Sequence, residues 1–163
     1  MWTVIDSPIG ALRLVAHGDE LTAIQFEPFD EAPDPDGGQS LGERVDTDPV
    51  LVETARQLAA YFAGERTDFD LPLAPVGTAF QQRVWAELRR IPWGETASYG
   101  EVARRLGLTN AASRAVGTAN GRNPIPVVVP CHRVIGADGT LTGYAGGLDR
   151  KRVLLDLESA ALF

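Results

Sequence analysis

Hydrophobic positions near the start of the chain alternate with polar ones over three short stretches rich in β-branched residues. The stretches cover residues 2–6, 12–17 and 21–26, and turns that contain Gly or Pro separate them. This spacing predicts an antiparallel β-meander. Residues 27–48 are rich in Asp, Pro and Gly and show no periodicity, which predicts a mobile acidic loop.

Beyond residue 48 the apolar positions recur every three or four residues, as in helices. Asp48 and Pro49 provide an N-cap and a first-turn proline for a helix that Gly64 ends. Thr78 can cap a second helix. The order of strands followed by helices predicts a mixed α/β (α+β) protein.

The chain is expected to divide into a β-rich α/β domain of residues 1–76 and a mostly helical domain of residues 77–163. The net charge of −7 is unevenly distributed along the 163 residues. Residues 1–79 hold 4 Arg against 15 Asp and Glu, whereas residues 80–152 hold 11 Arg and Lys against 5 acidic residues. Such asymmetry indicates a polyanionic partner for the second domain, although a solvated Arg-rich face would look the same.

Two short helices joined by a tight turn follow in the second domain. Ser98 caps the first, over residues 99–106, and the turn 107–110 leads to the second, over residues 111–119. This is the helix-turn-helix pattern, which ordinary helical hairpins share. On the outward face of the second helix Arg114 is the only long side chain. The other outward positions are small: Ala112, Ser113, Ala115, Gly117 and Thr118. Such a helix fits closely into a minor groove, where proteins insert side chains to unstack the duplex.

The single cysteine, Cys131, is the main chemical feature of the sequence. Free cysteines are commonly buried packing residues, and that alternative applies to a Cys after the apolar run 127–129. Pro130, however, ends the strand that this run predicts, and His132 and Arg133 follow Cys131 directly. Neighbouring cationic and proton-accepting groups favour a thiolate. The local sequence therefore predicts a nucleophilic cysteine.

The composition argues against several classes of protein. No segment approaches the ~20 apolar residues that span a bilayer, and the N-terminus lacks the pattern of a signal peptide. One unpaired cysteine suits a reducing compartment, so a cytoplasmic protein without a membrane partner is expected. His17 has no Cys, Asp or second His at ligand spacing, and we expect no metal site and no cofactor.

Seven sequence blocks of the second domain, taken in order, resemble the O6-alkylguanine-DNA alkyltransferases, also called methylated-DNA–protein-cysteine methyltransferases. The blocks are residues 80–85, 91–96, 98–99, 114–117, 120–124, 130–136 and 143–147. The block Pro130-Cys131-His132-Arg133-Val134 is specific to this family. The resemblance implies a ribonuclease H-like first domain, followed by a DNA-binding and catalytic domain with a winged-helix-like helix-turn-helix motif.

The resemblance implies a DNA repair reaction. An alkyl group on O6 of guanine, or on O4 of thymine, in duplex DNA is transferred irreversibly to Cys131 after the base is flipped out, once per molecule. His132 is implied to take the thiol proton through a bridging water, and Glu158 to orient the imidazole. Tyr99 is implied to donate its hydroxyl to guanine N3. Without the resemblance, Glu158 would be interpreted as a surface carboxylate and Tyr99 as a core aromatic residue.

Further residues are implied to contact the substrate. The Val134 carbonyl and the Ala145 N–H are implied to read the guanine edge, and Tyr144 to shape the alkyl pocket together with the loop 136–147. Asn123 is implied to tie the DNA-binding helices to the segment that carries the cysteine.

The DNA-binding surface is implied to centre on Arg114, which fills the gap left by the flipped base. A simple phosphate contact is the alternative role for Arg114. The other DNA-binding positions are the small residues of the same helix: Ala112, Ser113, Ala115 and Gly117.

The expected partner is double-stranded DNA that contains O6-alkylguanine, bound by a monomer; cooperative binding along DNA is left open. Two alternatives remain. A non-catalytic lesion binder, similar to the alkyltransferase-like proteins, would have another residue in place of Cys131. A helix-turn-helix regulator would leave the Cys-His-Arg block unexplained.

Overall fold

The structure is a computed structural model that describes residues 1–29 and 41–160, without the side chain of residue 160. The chain forms two compact units, Met1–Pro75 and Val76–Phe163. Strands dominate the first unit and helices the second, so the predicted mixed α/β class is confirmed. Residues 30–40 of the predicted acidic loop lie outside the described residues. None of the helices that the structure describes is long and apolar enough to cross a membrane.

An antiparallel sheet forms the core of the first unit and confirms the predicted meander. Its strands are β1 (Trp2–Ile5), β2 (Leu12–His17) and β3 (Glu20–Phe26), in the order β1-β2-β3. The central strand β2 is buried over five of its six residues. Paired on both sides, β2 is the most buried of the three strands, and its one buried charged side chain, Arg13, donates to the Gln25 side chain at 2.6 Å.

Helix α1 (Pro49–Phe62) begins and ends where the sequence predicts. The Asp48 carboxylate accepts a hydrogen bond from the Leu51 N–H at 3.2 Å, which satisfies a first-turn donor. Gly64 follows the helix with φ +77°, a left-handed conformation that glycine adopts without strain.

The second unit is mostly helical. Its helices are α2 (Ala79–Leu88), α3 (Tyr99–Arg105), α4 (Ser113–Gly121) and α5 (Leu148–Ala160). Two short strands, β4 (Ala97–Ser98) and β5 (Val134–Ile135), pair in parallel. Thr78 caps α2, as the sequence predicts, and the cap is a reciprocal capping box with Gln81.

Helices α3 and α4 form the predicted helix-turn-helix. Ser98 caps α3, and Gly107 follows that helix with φ +79°. The second helix begins two residues later than predicted, because Asn110–Ala112 forms a 3₁₀ turn. The Asn110 side chain accepts from Arg104 at 2.6 Å, and no side chain caps the 3₁₀ turn or the start of α4.

The predicted strand over residues 127–129 is wrong. This segment is a buried turn closed by a bridge between Pro126 and Val129, with Val127 at φ +72°. A β-branched residue rarely adopts that conformation, which costs about 1–3 kcal/mol and persists only where the surroundings impose it. Cys131 therefore follows a strained, buried turn instead of a strand end.

From the sequence, Val153, Leu154 and Leu157 of the C-terminal helix are expected to pack inward, but α5 buries a different face. Val153, predicted to pack inward, is 41% exposed, and Leu157 is half-buried. The buried stripe consists of Lys151, Leu154 and Glu158, spaced as neighbours on one helical face. Two of its three members are ionisable, and both find polar partners inside the unit.

Candidate active site around Cys131

Cys131 begins a 3₁₀ turn, Cys131–Arg133, that leads directly into β5. Its side chain is 4% exposed. Burial raises the pKa of the thiol to about 11, although a hydrogen bond from Asn123 and the positive charge of Lys151 act in the opposite direction. At neutral pH the resting side chain is therefore a thiol, and thiolate formation requires a proton acceptor.

His132 and Glu158 form a buried pair beside the cysteine. The His132 Nε2 lies 2.7 Å from Glu158 Oε2. Burial lowers the pKa of His132, which favours the neutral imidazole. For Glu158, burial acts to raise the pKa, but hydrogen bonds and charges from His132 and Arg133 outweigh it and lower the pKa to about 2. The pair is thus a neutral imidazole and a carboxylate.

This protonation state fixes the role of each imidazole nitrogen. An ionised Glu158 can only accept, so the hydrogen of the neutral His132 ring lies on Nε2 and the lone pair on Nδ1. Nδ1 is buried and has no hydrogen-bond partner among the described residues. The ring therefore presents an unoccupied basic nitrogen inside the unit.

Arg133 serves this pair and not the thiol, contrary to the expectation that it would favour a thiolate directly. Its Nε and Nη2 donate to the two Glu158 oxygens at 2.8 and 3.0 Å, and its Nη1 donates to the Ile91 carbonyl at 2.7 Å. Bidentate binding of this kind fixes the carboxylate in one orientation. Arg133 thus orients Glu158, and Glu158 in turn orients His132.

Two asparagines at the end of α4 bind the segment that carries Cys131. The Asn123 side chain donates to the Val129 carbonyl at 2.8 Å and accepts from the Ile125 N–H at 3.0 Å. These bonds satisfy two backbone groups beside the strained turn, the Val129 carbonyl and the Ile125 N–H, and so stabilise it. The sequence did not single out Asn120, whose side chain donates to the Cys131 carbonyl at 3.4 Å.

Tyr99 is the first residue of α3, and its hydroxyl lies 2.7 Å from Thr142 Oγ1. A Cβ at Gly117 of α4 would come within 3.5–3.6 Å of the Tyr99 ring, so the two helices approach closely here. Of the other predicted pocket residues, Tyr144 is half-buried and Ala145 is exposed.

Lys151, which sequence reasoning passed over, connects two of these segments. Its ammonium donates to the Val134 carbonyl at 2.6 Å and to the Thr142 carbonyl at 2.9 Å. The signal in the sequence was that it is the only lysine among 15 basic residues. The Val134 carbonyl, predicted to read the guanine edge, thus already accepts a hydrogen bond from Lys151 in the free protein.

The predicted DNA-binding residues lie at the start and along one side of α4. Arg114 and Ala115 are exposed, whereas Ala112, Ser113 and Gly117 are half-buried. Arg114 is therefore the long side chain that projects from a surface of small ones. In residues 1–29 and 41–160, no group of three or more Cys, His, Asp or Glu side chains could hold a metal ion.

Comparison with known proteins agrees with this arrangement. Residues 1–75 match the ribonuclease-like domain, and residues 79–160 the DNA-binding domain, of 6-O-methylguanine DNA methyltransferase. The methylated-DNA–protein-cysteine methyltransferase of Mycobacterium tuberculosis H37Rv is 53% identical over 164 residues, covering 98% of this chain and 92% of the relative. The protein of that name from Methanosarcina acetivorans is 48% identical, covering 98% of both chains.

A solved structure gives the same result in three dimensions. The crystal structure of Mycobacterium tuberculosis OGT in complex with DNA has a TM-score of 0.84 and 50% identity, covering 98% of this chain and 93% of that one. The resemblance seen in the sequence is confirmed. The chain belongs to the 6-O-methylguanine DNA methyltransferase family.

Proposed function

We propose that this protein repairs DNA by transferring the alkyl group of O6-alkylguanine, and of O4-alkylthymine, irreversibly to Cys131. The observation that carries the proposal is the buried series of Cys131, His132 and Glu158, in which an ionised carboxylate fixes a neutral imidazole. A lesion-binding protein without catalysis would have no use for this series, and neither would a helix-turn-helix regulator.

The transfer begins with removal of the thiol proton. We propose that the His132 Nδ1 accepts it through one water, and that the resulting imidazolium is stabilised by Glu158. The Cys131 sulfur then attacks the alkyl carbon, a carbon–sulfur bond forms and the bond from that carbon to guanine O6 breaks. The electron pair of the broken bond passes to the guanine, which gains a proton, so that thiol and alkylguanine become thioether and guanine.

The remaining site residues receive the leaving base. The Tyr99 hydroxyl, which lies beside Thr142 in the free protein, would turn its hydrogen to guanine N3 as negative charge develops there. The Val134 carbonyl and the Ala145 N–H would bind the guanine edge, and Tyr144 would shape the alkyl pocket. Asn123 would keep the cysteine segment in register with α4.

Binding to DNA is assigned to the second unit. An O6-alkyl group is out of reach inside the duplex, so the base must rotate out, at a cost of roughly a few kcal/mol. Arg114 would fill the gap, and Ala112, Ser113, Ala115 and Gly117 would allow α4 to approach the groove. Of the 11 basic residues between positions 80 and 152, those other than the buried Arg133 and Lys151 would attract the phosphates.

The wider proposal covers the setting of the reaction. Residues 1–76 would form a ribonuclease H-like domain and residues 77–163 the catalytic one. The protein would act in the cytoplasm as a monomer without metal or cofactor, once per molecule, because nothing in the reaction restores the thiol.

The decisive experiment compares wild type with Cys131→Ser. Each is incubated with duplex DNA containing one O6-methylguanine and then weighed by mass spectrometry. Wild type should gain one methyl group, whereas the serine variant should gain none and still bind the lesion in a gel shift, because a hydroxyl is a poor nucleophile at neutral pH. Tight binding by wild type without a mass gain would indicate the lesion binder, and neither result the regulator.

A further inference from the structure

The loop 136–147 ends in a tight turn that carries two residues of the proposed pocket, Tyr144 and Ala145. The Gly147 N–H donates to the Tyr144 carbonyl at 2.9 Å, and Gly147 has φ +88°, a left-handed conformation that favours glycine. Tyr144 is half-buried and its hydroxyl oxygen is buried. Its ring therefore points into the unit, so the position of the turn decides where this ring lies.

Arg150, in the first turn of α5, binds this tight turn. Its Nη1 donates to the Gly146 carbonyl at 3.0 Å; Arg150 is half-buried and Gly146 is buried. A cation in the first turn of a helix opposes the helix macrodipole, which favours negative charge there, as Asp149 provides. A contact outside the helix must offset this cost, and the bond to the Gly146 carbonyl is such a contact.

The loop is bound on the other side of Tyr144 as well. The Lys151 ammonium donates to the Thr142 carbonyl at 2.9 Å, so consecutive residues of α5 bind the loop before and after Tyr144. Residues 143–145 lie between the two bound carbonyls. Gly143 is exposed, and a Cβ there would meet nothing within 4 Å. Local packing therefore leaves this short segment free to move unless the bonds at its ends hold it.

We propose that Arg150 is a positioning residue that limits the size of the alkyl group transferred: its bond to the Gly146 carbonyl fixes the turn, and the fixed turn holds Tyr144 as a rigid wall of the pocket. The inference rests on the proposed function, in which Tyr144 shapes the alkyl pocket.

The size limit follows from what each alkyl group asks of this wall. A methyl group needs little room, whereas a benzyl group needs the wall to yield. A well-packed site resists groups larger than those it fits, and a charge-assisted hydrogen bond resists displacement of its acceptor more than a neutral one does. Loss of the Arg150 bond should therefore affect transfer of large groups much more than transfer of small ones.

The test compares Arg150→Met, which keeps a long side chain but removes the donor, with Arg152→Met, at an exposed position of the same helix. Single-turnover rates of transfer are measured on one duplex sequence that carries either O6-methylguanine or O6-benzylguanine. Both substrates need DNA binding and base flipping, so the ratio of the two rates reports discrimination by the pocket. Thermal melts establish that each variant is folded.

Arg150→Met should raise the benzyl-to-methyl rate ratio roughly 10-fold and leave the methyl rate within about threefold of wild type, whereas Arg152→Met should change neither. Arg150→Lys, which keeps the charge but not the planar fork of donors, should give a ratio between those of wild type and Arg150→Met. A folded Arg150→Met protein with the ratio of wild type would overturn the inference. So would an equal loss of rate with both substrates, which would indicate a phosphate contact or a role in folding.

A second variant changes the same segment in the opposite direction. Gly143→Ala restricts the backbone between the two bound carbonyls without meeting another atom, so the benzyl-to-methyl ratio should fall below that of wild type. A ratio that rises in Gly143→Ala would contradict the inference that mobility of this segment admits large groups.

Hydrogen exchange tests the anchor without any transfer. The Gly147 amide, which is bonded to the Tyr144 carbonyl, should exchange faster in Arg150→Met than in Arg152→Met. Equal exchange in the two variants would show that Arg150 does not hold the turn and would overturn the inference by itself. Wild type that transfers neither alkyl group would instead overturn the proposed function, and the size limit with it.

Discussion

Glu53 in the first unit and Glu158 in the second show how differently the two regions use charge. Hydrogen bonds from Arg56 and then from Gln57 lower the pKa of Glu53 to about 2. The pKa of Glu158 is also lowered to about 2, although burial acts to raise it. The Glu53 side chain is 41% exposed and pairs within its own helix, whereas Glu158 is 2% exposed and pairs with a segment 25 residues away. Water screens the first pair and hardly reaches the second.

The buried polar groups of the two units differ in the same way. In the first unit they make separate contacts: Asp48 caps α1, the Gln57 amide makes two 2.9 Å hydrogen bonds with the backbone of Asp70, and Thr3 and Arg13 each donate to a neighbouring side chain. In the second unit, polar side chains from α4, α5 and the 3₁₀ turn converge on the residues beside the thiol: Asn120, Asn123, His132, Arg133, Lys151 and Glu158. The buried polar side chains of the first unit thus stabilise its fold one contact at a time. Those of the second unit form one cluster of charged and polar groups beside the reactive cysteine.

Replacing each of the two glutamates tests this contrast most strongly. Glu158→Gln leaves the buried Arg133 without its counter-ion, so the free energy of unfolding should fall by about 3–5 kcal/mol, and transfer should slow because His132 loses its anionic partner. Glu53→Gln should change neither quantity measurably. Denaturant unfolding and methyl-transfer rates measure both. Equal losses of stability in the two variants would show that burial is not what separates the pairs.

The same pair predicts a pH window. The pKa of Glu158 is lowered on folding from an ordinary 4.5 to about 2, so the stability that its ionisation contributes is complete above pH 4.5. That contribution should be lost as the pH falls from 4.5 toward 2, and the stability difference between wild type and Glu158→Gln should shrink over this range. A difference that stays constant down to pH 2 would contradict the charge-based explanation.

Exposed arginines provide the next comparison. Arg114→Ala should slow repair of duplex DNA by roughly 10- to 100-fold, which corresponds to losing part of the few kcal/mol that base flipping costs. Reaction with free O6-benzylguanine, which needs no flipping, should hardly change. Arg56→Ala, an exposed arginine of the first unit, is the control and should affect neither substrate. An equal loss with both substrates would place Arg114 in the chemistry or the fold.

Alkylation itself should weaken the second unit. The Cys131 side chain is nearly fully buried, so an added group acts as a small-to-large substitution and should cost about 1–3 kcal/mol. The melting temperature should fall on methylation and fall further on benzylation, and DNA affinity should drop because Asn123 links the turn to α4. Thermal melts and hydrogen exchange measure this, with faster exchange expected in residues 76–160 only. A spent protein as stable as the free one would mean that the pocket has room to spare.

The smallest effects should be the same in both units. Asp48→Ala and Thr78→Ala each remove a helix N-cap, of α1 and of α2, and each should cost about 1 kcal/mol. Transfer per folded molecule should not change in either variant. A cap variant with a lower rate would show that helix ends also support the chemistry.

Local signals in the sequence predicted most of the fold. The caps at Asp48, Thr78 and Ser98 and the alternation in the first strands depend on neighbouring residues, so a single sequence is enough to read them. The turn at residues 126–129 was mistaken for a strand because its conformation depends on hydrogen bonds with the nearby Asn123 side chain, which the apolar run 127–129 does not reveal.

The site shows the same limit. Cys131 and its neighbours were found from one block of sequence and a family resemblance. Lys151 reads as a surface residue between two arginines, since only the folded structure shows its carbonyl partners. Arg133 was paired with the wrong residue, because proximity in sequence favoured Cys131, whereas the fold brings Glu158 to it.

The raised pKa of Cys131 also bears on how long an unused molecule stays competent. Because burial raises the pKa of this thiol to about 11, the side chain is almost entirely protonated at pH 7, and it is also 4% exposed. Peroxides and other electrophiles react with accessible thiolates. The buried, protonated Cys131 should therefore react with them only slowly. A protein that reacts once and is not regenerated benefits when its cysteine stays unreactive until the substrate enters the pocket. Burial of Cys131 therefore preserves the unreacted protein.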